Sequence, residues 1–325
     1  MPISSSLKLT AGVVVVAALA ATSLFIGVSD ISLPALLSSA PQDRPLQVLL
    51  ISRLPRTAAL VLSGVAMSVA GLLMQMLARN RFVEPSTAGT VESASLGILC
   101  ATVLAPGMPL LGKMLVAAAF ALAGTALFMR LLSAIPLRSV LVVPLVGIML
   151  GGVIGSVTNF FAYRLDLLQT LGAWTLGDFS GVLRGRYELL WLAAGLTLLA
   201  YLAADRFTVA GLGRDFTTNL GLNYRRVMGL GLSIVAMVTA VVVVTAGAIP
   251  FLGLIVPNLV SAAMGDNARR SIPWIALAGA GLVLACDIVG RLIRFPYEIP
   301  VGSVFGVVGS AVFLWLLLGR RQQLG

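Results

Sequence analysis

Histidine is absent from all 325 residues, and cysteine occurs only twice. The first absence excludes histidine-ligated metal sites and any serine–histidine–aspartate nucleophilic centre. Cys100 and Cys286 both fall inside apolar runs, so a structural disulfide is not expected and packing is their default role. Charge is scarce as well: Asp, Glu, Lys and Arg make up 10% of the chain, against about 25% in a soluble domain. Long polar stretches are missing too, which leaves no room for a separate soluble domain.

What is present is apolar. Hydrophobic residues make up 59% of the sequence, and the mean hydropathy is +1.03. Runs close to the ~20 residues needed to cross a bilayer recur from end to end. The sequence therefore predicts an all-α polytopic membrane protein forming a single domain over residues 1–325. MPISSSLKLT and the apolar run after it resemble a signal peptide, but the run reaches Val28 without a small-residue cleavage site. An uncleaved first helix is the expectation.

Ten spans are expected: Leu9–Val28, Thr57–Ala78, Thr90–Leu104, Lys113–Leu132, Val140–Tyr163, Leu189–Ala204, Val227–Ala246, Phe251–Met264, Ile275–Val289 and Val301–Leu318. The third and eighth look short for a full crossing. The eighth is approached through GAIPFLGLIVPN, where Pro250, Gly253 and Pro257 interrupt an apolar run. Membrane helices tolerate such breaks where neighbours re-satisfy the freed backbone groups. An even number of spans puts both termini on one side. With that side cytoplasmic, thirteen Lys and Arg, Arg138, Arg320 and Arg321 among them, lie inside and nine outside, which agrees with the positive-inside bias. The net charge of +10 is then loop charge, not a nucleic-acid footprint.

Several residues stand out against this background. Gly107–Lys113 fits the first seven positions of a P-loop, but Met114 stands where Ser or Thr must reach magnesium, and no strand precedes it. The chain is not expected to bind ATP by that motif. Asp287 and Glu92 are carboxylates at membrane depth, where charges are costly and commonly functional. Each reads either as a proton relay or as an internal partner, Asp287 pairing with Arg291 four residues on. Small residues recur at four-residue spacing at Gly147, Gly151 and Gly155, and again at Gly302 and Gly306; such faces let helices approach closely. GLGRDFTTNLGLNYRR, residues 211–226, offers a short amphipathic helix between spans six and seven, as a lipid-resting element or a partner dock. Arg53, Arg56 and Arg291 lie on the outer side against the charge bias, either as snorkelling anchors or as a surface that receives carboxylates.

Five ordered segments together resemble one family: RLPRTAALVLSGVAMSVAGLLMQMLARN (Arg53–Asn80), LGLNYRRV (Leu220–Val227), GAIPFLGLIVPN (Gly247–Asn258), GDNARRSIPWIALAGAGLVLACDIVGR (Gly265–Arg291) and EIPVGSVFGVVGSAVFLWLLL (Glu298–Leu318). The family is the iron-siderophore and vitamin B12 type (FecCD-like) permeases of ABC importers. The resemblance implies a ten-helix type II importer fold in the cytoplasmic membrane of a bacterium. It also implies a second permease subunit, identical or paralogous, two cytoplasmic ATP-binding subunits that hold ATP and magnesium, and a periplasmic or lipid-anchored binding protein. The chain itself would carry no cofactor or metal and make no bond.

Carried over by position, Arg53, Arg56 and Arg291 match arginines that dock acidic residues of the binding protein. Arg214, Phe216, Leu220 and Gly221 match the ATPase-coupling loop. Gly147, Gly151, Gly155, Gly302, Gly306 and Asn258 would lie near the pathway or dimer contact. Two departures narrow the cargo. Family members commonly read RNPLADP where this chain has Arg79-Asn80-Arg81-Phe82-Val83-Glu84-Pro85, and Pro-His where it has Pro257-Asn258. With the following PSTAGT, the pattern resembles the branch that serves catecholate or mixed-ligand siderophores. A cobalamin or haem permease and a proton-coupled secondary transporter are the alternatives. A membrane transferase would need an acid, base or metal cluster that the sequence does not offer.

Overall fold

The computed structural model describes residues 5–27, 44–134 and 142–319. Val28, Arg138, Val140, Arg320 and Arg321, which enter the expected span ends and the charge count, lie outside those residues. Among the described residues the regular structure is helical throughout.

Each expected span has a helix. They are α1 (Ser5–Phe25), α2 (Arg44–Val48) continuing into α3 (Leu54–Leu77), α4 (Thr90–Leu104), α5 (Leu110–Ala134), α6 (Val142–Arg164), α8 (Leu190–Leu202), α11 (Tyr224–Ala246), α12 (Leu252–Met264), α13 (Ala268–Leu292) and α14 (Val301–Gly319). Short helices α7 (Leu168–Thr175), α9 (Ala204–Gly211) and α10 (Arg214–Asn219) fill the connections. Fewer than ten pass a test of length and apolarity alone. Six helical stretches among the described residues are long and apolar enough, or seven if α8 and α9, bent by 65°, count as one span. With 15 and 13 residues, α4 and α12 rise about 22 and 20 Å at 1.5 Å per residue, short of a ~30 Å hydrocarbon core.

Two prolines show how the sequence shapes the spans. The second span starts earlier than expected, because the chain stays helical from Arg44 to Leu77 through a π-helical turn at Leu49–Arg53. Pro55 has no N–H to give to the carbonyl of Ile51, and that carbonyl instead accepts from the Arg184 N–H at 3.0 Å. The same happens in α12. Pro257 leaves the Gly253 carbonyl free, and Gln75 of α3 donates to it at 3.2 Å. In both places a break in one helix becomes a bond to another segment.

The hub is α3, which packs against α13, α11, α12 and α8. Its contacts are close because glycine faces glycine. A Cβ on Gly71 would run into the backbone of Gly253, and one on Gly64 into Gly279 and Ala280. These approaches bring backbones together as small residues do between membrane helices.

A buried charge cluster and an exposed turn as candidate functional sites

At the start of α3, Arg56 and Arg291 close on one carboxylate. Arg56 donates to Asp287 from Nε at 3.2 Å and from Nη2 at 2.7 Å, and from Nη1 to Glu298 at 2.6 Å. Arg291 donates to the other oxygen of Asp287. It also donates to the Ser23 carbonyl at 3.0 Å, the Ser23 hydroxyl at 2.5 Å and the Ile26 carbonyl at 2.7 Å. Arg53 donates to the same Ile26 carbonyl. The cluster ties α1, α3 and α13 together and reaches the turn before α14.

The structure gives the three outer arginines partners within the chain. Arg53, Arg56 and Arg291 are buried and give terminal guanidinium N–H groups to internal acceptors, although Nε of Arg291 has none. Asp287 resolves the same way. Its side chain is 0% exposed and paired with two guanidiniums, which is the ion-pair reading and not the geometry of an open proton relay. Burying a carboxylate is costly alone, and two charge-assisted partners offset that penalty.

Glu92 and the first glycine face turn out to meet each other. Gly151 lies against the Glu92 carboxyl group, which a Cβ there would approach to 3.2 Å, and Gly155 is beside the Glu92 side chain. Oε2 of Glu92 has no hydrogen-bond partner and is shut off from solvent. Gly147 packs on the Thr87 carbonyl and Ala88. Gly302 packs on the Leu176 and Ala248 carbonyls, and Gly306 faces the Pro250 ring. Gly147, Gly151 and Gly302 thus make close contacts within the chain. The apolar surface left open on the same helices is carried by Ile148, Met149 and Val153 of α6 and by Val307 of α14.

Asn258 is likewise internal. It is buried and donates to the carbonyls of Arg81 and Leu254, each at 2.7 Å, so it links α12 to the turn after α3. That turn carries Glu84, which sequence reasoning noted only as a departure from a motif. Glu84 is buried and accepts from the Phe251 N–H at 2.8 Å, at the start of α12, where the helix dipole favours an anion. Glu298 was missed too. Its one signal was position, inside the resembling segment just ahead of the last helix.

About 24 residues of α3 separate the charge cluster from the other end of the bundle, or roughly 36 Å of helix. There α9, α10 and the start of α11 form an exposed turn. Gly213 at φ 114° and Gly221 at φ 77° bound α10, and the left-handed region favours glycine at both. Thr217 turns inward and donates to the Gly213 carbonyl at 2.6 Å. The Asn223 side chain caps α11 by accepting from the Arg226 N–H at 3.1 Å. Phe216 and Leu220 are left pointing outward with Leu212, all well exposed, and Arg214 lies beside them on α10. Beneath runs a groove of about 310 Å³ between the end of α3, α9, α12 and α13, lined in part by Gln75, Arg79, Asn80, Thr208 and Asp266. An Arg81–Asp266 ion pair lies among its lining residues.

Comparison with known proteins places this architecture. The chain is 50% identical over 303 residues to the petrobactin import system permease protein YclN of Bacillus subtilis, covering 93% of this chain and 95% of the relative. It is 41% identical over 300 residues to the ferric-anguibactin transport system permease protein FatD of Vibrio anguillarum, covering 92% and 95%. Among solved structures, a metal-chelate type ABC transporter in an inward-facing conformation superposes with a TM-score of 0.79 at 23% identity, over 96% of this chain and 99% of that one; that likeness speaks to the fold alone. Residues 14–319 match the FecCD transport family, and the chain belongs to that family.

Proposed function

We propose that this chain is the membrane permease subunit of an ABC importer that carries a ferric siderophore inward across the cytoplasmic membrane of a bacterium. The observation that supports it most is the 50% identity, over nearly the whole of both chains, to a petrobactin permease. The cargo is of catecholate or mixed-ligand type, in line with Pro257-Asn258 and the Arg79–Pro85 segment. The chain performs no covalent chemistry and holds no cofactor. Two cytoplasmic ATP-binding subunits bind ATP with magnesium and hydrolyse it. They seat on the turn built from Arg214, Phe216, Leu220 and Gly221, whose outward Phe216 and Leu220 otherwise expose apolar surface to water. That assignment puts both termini on the cytoplasmic side.

A second permease subunit covers the open apolar faces of α6 and α14, and the cargo passes between the two copies. An external binding protein delivers the ferric complex at the Arg56 end, where acidic side chains meet Arg53, Arg56 and Arg291. Alternating access then follows from ATP binding and hydrolysis biasing two states of the bundle.

Uptake of radiolabelled ferric siderophore into vesicles holding the complete importer tests this against proton-driven transport. Uptake should require ATP and the ATP-binding subunit and should survive an uncoupler. Loss of uptake on collapsing the proton gradient, with ATP still present, would overturn the proposal.

A further inference from the structure

Arg56 holds two carboxylates of different character. Asp287 is built into α13, fully buried and shared with Arg291. Glu298 comes from the turn between α13 and α14, in which Leu292 to Tyr297 are all exposed. Its side chain bends inward to reach the outer edge of Arg56, yet remains 27% exposed, against 11% for the arginine it touches. The turn is otherwise anchored by the Ile299 N–H on the Gly290 carbonyl at 3.0 Å, and α14 begins only three residues after Glu298.

We propose that Glu298 is an internal substitute for a partner's carboxylate. It occupies the outer Nη1 of Arg56 while the permease is alone, and an acidic side chain of the external binding protein takes that place on docking. Glu298 and the turn leading into α14 are thereby released. The inference rests on the reading that the binding protein docks at the arginine cluster, and it supplies the step by which a buried arginine becomes available.

The chemistry favours exchange over simple addition. A guanidinium presents separate edges to separate acceptors. Asp287 keeps Nε and Nη2 throughout, so Arg56 is never left as an unpaired buried charge, which would be strongly unfavourable. Replacing one carboxylate by another on Nη1 conserves the charge-assisted bond. Exposed cations lie close by to draw an acidic partner in. Arg294 stands over the Tyr297 ring, and Arg184 is bonded through its backbone to Ile51, two residues before Arg53. Docking is thereby connected to the N-terminus of α14, whose Gly302 N–H is bonded to the Gly177 carbonyl at 3.2 Å.

A double-mutant cycle on the full-length permease in lipid nanodiscs, titrated with its binding protein, tests the exchange. Glu298→Gln removes the competitor and should tighten docking about 1.5- to fivefold, the range that a partly exposed ion pair supports. Arg56→Gln should weaken docking, and it leaves Asp287 paired with Arg291, so the fold survives. In the Arg56→Gln background, Glu298→Gln should no longer tighten docking. Unchanged or weaker docking for Glu298→Gln alone, with Arg56→Gln still damaging, overturns the exchange and leaves the docking site standing. Tightening that persists without Arg56 would mean mere relief of charge repulsion, and also overturns it. Docking that ignores Arg56→Gln removes the docking reading and the exchange together.

Discussion

Asp287→Asn is the sharpest test of what holds the Arg56 end together. The substitution keeps the shape of the side chain and deletes one charge. Asp287 is 0% exposed and receives Nε and Nη2 of Arg56, at 3.2 and 2.7 Å, and Nη2 of Arg291. After the change Arg56 retains Glu298, but Arg291 keeps only the neutral acceptors at Ser23 and Ile26. Coulomb's law gives about 4 kcal/mol for one pair at ~4 Å and an effective dielectric constant near 20. Breaking a buried pair by removing one partner costs about 3–5 kcal/mol in practice, because an uncompensated charge stays behind.

The two figures agree, so a loss of about 3–5 kcal/mol is expected, a large share of the 5–15 kcal/mol typical of a folded domain. Denaturant titration of the purified permease in detergent, followed by tryptophan fluorescence, would register it as a lower midpoint. Replacing the whole triad with apolar residues, Asp287→Leu with Arg56→Met and Arg291→Met, should lose far less, since none of the triad's charges is left buried without its partner. If Asp287→Asn unfolded at the wild-type midpoint, the ion-pair account would be refuted. A variant of normal stability without uptake would return Asp287 to the role of proton carrier.

Gly71→Ala should destabilise the fold by about 3 kcal/mol or more, because the added carbon meets backbone at Gly253 and not a movable side chain. Gly152→Ala on α6, where nothing lies within 4 Å, should leave the unfolding midpoint unchanged or slightly raised. Phe216→Ala with Leu220→Ala should spare the fold, since both side chains are exposed. The pair should nevertheless weaken pull-down of the ATP-binding subunit about tenfold or more, as truncation of apolar anchors does, and undiminished capture would argue against the coupling turn. Glu92→Met removes an unpartnered buried oxygen at nearly constant length, so the unfolding free energy should hold or rise by about 1 kcal/mol. Uptake lost from a well-folded Glu92→Met protein would show that the carboxyl group does chemistry.

The spans were legible because hydropathy is a local property, and ten apolar runs need no knowledge of their neighbours. Pro250 and Pro257 likewise announced a broken approach to α12, since proline acts on its own backbone. The partner of a charge is not local. Arg291 could be named as a partner of Asp287 from its spacing of four, but Arg56 lies 231 residues away and Ser23 belongs to another helix again. The positive-inside bias sorts charges by side of the membrane and says nothing of depth. The burial of Arg53, Arg56 and Arg291 was therefore not legible. Four-residue glycine spacing had the same blind spot: it identified close-packing faces without saying which helix each one meets.

The two proline breaks explain where the bundle is stiff. A proline in a lone helix leaves a free carbonyl and a hinge, yet here each freed carbonyl is claimed from elsewhere, Ile51 by the Arg184 backbone and Gly253 by Gln75 of α3. Asn258 adds a further tie from α12 to the turn after α3. These breaks therefore act as crosslinks, and they converge on α3, whose span is 78% buried. The α6 span is only 22% buried, and its main close contact is one glycine notch around Glu92 and the Thr87–Gly89 turn. Moving α6 disrupts few buried contacts, whereas moving α3 would break glycine contacts and crosslinks at once. Within this chain α3 is thus the frame, and α6 is held by few internal contacts.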